Sequence, residues 1–126
     1  MDASAVLRES VSTTEAILGE HIVVLCTCPD LETARSLAQQ LVQDRLVACA
    51  NILSGVESVF WWDGKVTSEE ERLVVMKTTK ASWEALSVRI QSLHPYELPE
   101  IIAVPIEAGS APYLDWITDS VATGRF

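Results

Sequence analysis

The dipeptide Asp63-Gly64 constrains this chain more than any other pair of its residues. Asp-Gly between two extended runs is the strongest short hairpin signal, because the favoured two-residue turn needs positive φ at both central positions. The run before it, Val47 to Trp62, is long and extended, and Ser54-Gly55 interrupts it where a bulge or bend fits. The run after it extends from Val66 to Thr79. It is acidic near the turn, at Glu69-Glu70-Glu71, and apolar further in, through Leu73-Val74-Val75-Met76. The three glutamates read as a solvated stretch that projects past the sheet body and discourages pairing with other edges. These two runs are expected to be the second and third strands of a sheet.

The other elements follow from local signals. Ile22 to Cys28 is a continuous aliphatic and β-branched run bounded by Pro29, the pattern of a strand buried on both faces. Asp30 is a good N-cap, and Ala34, Leu37, Ala38, Leu41 and Val42 recur at helical spacing through Gln43. Ser82 is expected to cap a second helix with Trp83, Leu86, Ile90 and Leu93 along one side, ending at His94. Pro95 and Pro99 then force the chain out of the helix in an extended form. Ile101 to Ile106 reads as a fourth strand, which Pro105 assigns to a sheet edge or a bulge. Ser110 and Pro112 start a third helix with Tyr113, Trp116, Ile117 and Val121 as its apolar stripe. Residues 1–20 read as a tail with at most a helical turn around Glu15 to Leu18, residues 21–122 as the folded domain, and 123–126 as a C-terminal tail.

The order β-α-β-β-α-β with an added C-terminal helix is that of an α+β, ferredoxin-like sandwich. Neighbouring strands are then antiparallel, and the fourth strand lies beside the first. The end of the first strand (Cys26, Cys28), the end of the second helix (His94), the start of the fourth strand (Glu97, Glu100) and the hairpin tip should gather toward one end of the sheet. Both crossover helices fall on one face. The other face carries apolar residues of the first strand and aromatics from Phe60-Trp61-Trp62, too greasy to meet water, so a homo-oligomer closing over it is expected. The third helix should cover a remaining edge.

Size and charge narrow the function. At 126 residues one domain suffices, with 48% hydrophobic residues and no apolar run long enough to cross a membrane. The formal charge of −9 repels phosphate backbones, which makes nucleic acid a poor partner. The five glycines are scattered, so no phosphate-binding loop exists. Three cysteines and no signal peptide point to a reducing, cytoplasmic setting.

The chemistry-bearing residues allow two roles. His94 at its proline-fixed corner is either a helix-end cap or, neutral, a metal ligand. Cys26 is either a small core residue or a thiolate ligand. Several segments together resemble the CutA divalent-cation tolerance proteins: Val24-Leu25-Cys26-Thr27 with Pro29-Asp30, Leu46 to Ile52, Phe60-Trp61-Trp62-Asp63-Gly64-Lys65, Lys77-Thr78-Thr79, His94-Pro95-Tyr96-Glu97-Leu98-Pro99-Glu100 and Tyr113-Leu114-Asp115-Trp116-Ile117. The resemblance covers about residues 21 to 122. It implies a PII-like homotrimer of ferredoxin-like subunits, a link to tolerance of copper and other divalent metal ions, and Cys26 and His94 as metal ligands. Leu93 stands where relatives have a further histidine, so other donors are needed, and Cys28, Glu97 and Glu100 are the nearest along the chain. Thiolate and imidazole suit copper or zinc better than magnesium or calcium. Two alternatives remain open. One is a PII-like regulatory or scaffolding trimer that binds a partner protein or small effector in inter-subunit clefts near Tyr96, Lys65 and Trp61. The other is a thiol enzyme with Cys26 as nucleophile, against which the charge of −9 argues, so the expected role is not enzymatic.

Overall fold

In a computed structural model of the chain, Asp63 and Gly64 sit at φ 53° and 76°, the positive values that the hairpin turn demands. The structure describes residues 20–121. The expected tails, apart from Glu20, and the turn near Glu15 lie outside the described residues. The Asp63-Gly64 turn joins β2 (Cys49–Trp62) to β3 (Lys65–Thr79), with Trp62 paired directly to Lys65. The register slips once, between Leu53 and Val56, and Gly55 at the slip has φ 76°. The bulge therefore falls where Ser54-Gly55 announced it.

β1 (His21–Cys28) runs antiparallel to β3 from His21↔Thr79 to Cys28↔Arg72, and β4 (Ile102–Pro105) is antiparallel to β1 on its other side. The sheet order is β2-β3-β1-β4. β4 is thus an edge strand, where the missing N–H of Pro105 leaves no gap in the sheet's interior. Together with the three α-helices among the described residues this makes an α+β fold. Seven pairs of the hairpin, Val56↔Glu71 to Trp62↔Lys65, extend past the last β1 pair at Arg72 and form an arm.

α1 (Leu31–Gln43) starts at Asp30, whose backbone is extended and whose carboxylate accepts the Thr33 N–H at 2.8 Å. At its other end Arg45 adopts φ 60° while its N–H donates to Val42 O and the Leu46 N–H to Leu41 O. This closure normally takes glycine at the left-handed position. α2 (Trp83–Leu93) begins differently from expectation. A 3-10 turn, Lys80–Ser82, precedes it, and Ser82 is already helical and makes no cap bond. Its buried hydroxyl instead meets Thr79 Oγ1 at 3.1 Å. Leu93, counted in the apolar stripe, is exposed.

The core lies between the sheet and these two helices. Val24 and Cys26 share a face with their register partners Met76 and Val74, and these meet Leu41, Leu86 and Ile90, all wholly buried. Each such aliphatic side chain contributes about 1.5–3 kcal/mol relative to exposure. Thr78 joins the same layer and donates its hydroxyl to Leu46 O at 2.7 Å.

α3 (Ala111–Ser120) does not cover a sheet edge, as the chain order suggests it should; it packs against β3 and β1. His21, of opposite parity to the core residues of β1, bonds Thr118 Oγ1 through Nε2 at 2.9 Å, so α3 lies on the sheet's second face. The guanidinium of Arg45 donates to the carbonyls of Asp119 and Ser120 at 3.0 Å each, which holds the helix end there. Ile117 and Val121 are fully buried beneath it. Elsewhere apolar side chains stay uncovered, among them Leu53, Val59, Trp61, Trp62, Val66, Ile102 and Val104. No helix among the described residues is long and apolar enough to cross a membrane.

Candidate metal centre

Pro95 determines where His94 ends up. The residue before proline avoids the helical region, and His94 accordingly turns to φ −80°, ψ 140° while its N–H still closes the last turn onto Ile90 O at 2.8 Å. That corner swings the imidazole toward the end of β1. Nε2 lies 2.8 Å from the carbonyl of Thr27, and Nδ1 accepts the backbone N–H of Tyr96 at 3.0 Å. Strand alternation puts Cys26 and Cys28 on the same face of β1. Their sulfurs and a His94 ring nitrogen all lie within 4.8 Å of one another, and all three residues are buried.

The two thiols act on each other. The Cys26 thiol can hydrogen-bond the Cys28 sulfur, which holds Cys28 below the ordinary thiol range. The same bond, then burial, then the charges of Cys28, Glu100 and Glu71 push Cys26 well above it. Losing both protons would place two negative charges side by side in a buried site, and a bound cation offsets that repulsion. The donor set suits a cation: two buried sulfurs and a buried imidazole match thiophilic metals rather than magnesium or calcium. Ligands on a tetrahedral ion with sulfur bonds of about 2.3 Å lie about 3.7 Å apart, so the group needs to contract by roughly 1 Å.

Behind the imidazole stands a second pair. The Tyr96 hydroxyl donates to Glu71 Oε2 at 2.8 Å, and its ring lies 4.8 Å from that of His94. Burial, followed by the Glu71 hydrogen bond and charge, pushes the Tyr96 phenol upward. Glu71 is only 6% exposed, whereas Glu69 and Glu70 face solvent, so the reading of all three glutamates as solvated is corrected for Glu71. Its side chain is buried because it has the Tyr96 hydroxyl to pair with.

Of the residues singled out from sequence, Cys26 and His94 come together, and Cys28 completes the group. Glu97 and Glu100 are exposed and lie outside it, although Glu100 is close enough for its charge to act on Cys26. The polar partners Glu71 and the Thr27 carbonyl were not foreseen. A glutamate in an acidic run gives no local sign of burial, and a backbone carbonyl gives none at all.

A family model described as the CutA1 divalent ion tolerance protein matches residues 22–120. Protein CutA 1, chloroplastic, of Oryza sativa subsp. japonica is 40% identical over 121 residues, which is 95% of this chain and 66% of that one. The divalent-cation tolerance protein CutA of Thermus thermophilus is 45% identical over 98 residues, 78% of this chain and 95% of the relative. The solved structure of the Thermus protein superposes with a TM-score of 0.79 at 44% identity, covering 80% of this chain and 98% of that one.

Proposed function

As the chain belongs to the CutA1 divalent ion tolerance family, we propose that it binds a thiophilic metal ion, copper before zinc, in the response to metal ions. Cys26, Cys28 and His94 hold the ion, and Glu100 and Glu71 add negative charge around it. The observation that carries this reading is the convergence of three buried soft donors within 4.8 Å, brought from two elements by the His94-Pro95 corner. Binding releases the thiol protons, and His94 must trade a present hydrogen bond for the metal. Copper is favoured over zinc because three donors can satisfy it, whereas structural zinc takes four.

The role is not enzymatic: both thiols are buried, without the solvent exposure of a reactive cysteine. The working form is a homotrimer of ferredoxin-like subunits. The uncovered apolar residues of the arm and of the second face support self-association, since one chain leaves them wet. Three free cysteines favour a reducing compartment, the cytoplasm.

Titrating Cu(I), delivered anaerobically from a chelator of known affinity, and Zn(II) into the protein tests the site. Cys26→Ala, Cys28→Ala and His94→Ala should each weaken binding at least about tenfold. Unchanged affinity in all three would remove this site from the account.

A further inference from the structure

The hydrogen bonds of His94 limit how it can take a metal, and this inference rests on the metal reading above. A neutral imidazole has one N–H and one lone pair. The backbone N–H of Tyr96 can only donate, so Nδ1 carries the lone pair and Nε2 the proton it gives to the Thr27 carbonyl. Ligation through Nδ1 takes that lone pair. Ligation through Nε2 moves the proton onto Nδ1. In both cases the Tyr96 N–H loses its acceptor.

We infer that metal ligation by His94 releases the His94-Pro95-Tyr96 turn and that the Tyr96–Glu71 hydrogen bond passes this release to the root of the β2–β3 arm. Glu71 is the register partner of Val56, the first pair beyond the Gly55 bulge, and its carboxylate is the acceptor of the Tyr96 hydroxyl. A change in Tyr96 therefore acts where the arm leaves the body of the sheet. Tyr96 and Glu71 are positioning residues, with no contact to the metal required of either. The Tyr96–Glu71 bond holds the turn where its N–H reaches Nδ1, so it stabilises the metal-free form. Linkage is reciprocal: whatever loosens this turn tightens metal binding. Tyr96→Phe, which keeps the ring and loses the anchor, should bind metal about three- to tenfold more tightly, the range one net hydrogen bond allows.

The test uses isotope-labelled full-length protein, with one equivalent of Cu(I) or Zn(II) per chain, read by histidine ring nitrogen shifts and amide exchange. Metal-free His94 should show the Nε2–H tautomer. On loading, its ring nitrogens should shift, the Tyr96 amide should lose protection, and the Val56 and Glu71 amides should move. In Tyr96→Phe the Val56 and Glu71 response should vanish while affinity rises. A shifted His94 ring with a still-protected Tyr96 amide overturns the inference, as does Tyr96→Phe with native affinity and the native Val56 and Glu71 response. Metal held with the His94 ring unmoved also overturns it, yet leaves a two-cysteine site standing. No binding of either metal sinks the site and the inference together.

Discussion

The two faces of the sheet differ in how they are closed. On one, α1 and α2 seal Val24, Val74, Met76, Leu86 and Ile90 to zero exposure within a single chain. On the other, α3 shelters the His21 end; past the body of the sheet, the hairpin arm leaves Trp61 at 73% and Val66 at 61% exposure. Equally apolar sequence thus has two fates, decided by whether one of the described helices lies over it. A mutation on the sealed face should be felt as lost stability, and one on the arm as lost association.

The largest effect should come from the arm. Trp61→Glu with Val66→Glu, a directly paired couple, should lose about 4 kcal/mol of association, roughly a thousandfold, while the chain stays folded. Sedimentation velocity checks this, and an oligomer of unchanged size would mean that the arm's outer row is no interface. On the sealed face, Met76→Ala should lower unfolding stability by about 3 kcal/mol, measured in denaturant at fixed protein concentration, without changing the assembly. Thr78→Val, which strands the Leu46 carbonyl, should cost about 1–2 kcal/mol by the same measurement. Arg45→Gly removes the guanidinium tie between the two faces. It exchanges the guanidinium bonds to α3 for relief of a left-handed arginine, so stability should stay within about 0.5 kcal/mol of native. Faster amide exchange at Thr118 to Val121 should reveal the loosened helix.

The smallest effect is one of pH. The Thr33 N–H holds the Asp30 carboxyl below its ordinary value. The cap's contribution is therefore complete above the unfolded value near 3.9 and fades as acid protonates the folded carboxylate. The α1 amides should lose protection there first, and Asp30→Asn should abolish that acid dependence.

Legibility in the sequence followed the same division. Asp63-Gly64, the Gly55 bulge, the Asp30 cap and the His94-Pro95 corner could all be read because backbone geometry at those points depends on one or two adjacent residues. Cys26, Cys28 and His94 could be brought toward one end by element order alone. The Ser82 cap failed because a hydroxyl can satisfy itself on a neighbouring side chain, here Thr79, as well as on a helix N–H. Glu71, the Thr27 carbonyl and the seat of α3 stayed hidden, since each depends on a partner at least 25 residues away in sequence.

Beyond Glu71, whose carboxylate accepts the Tyr96 hydroxyl, the arm's ladder joins only β2 to β3, so its reach is free of the body's register. Inserting two residues into each strand beside Asp63-Gly64 would extend it by about 6.6 Å, keep every side chain on its own side, and leave the metal centre untouched. Span is therefore an adjustable dimension of this molecule, one that divergence or engineering can retune by whole dipeptide steps without redesigning the scaffold.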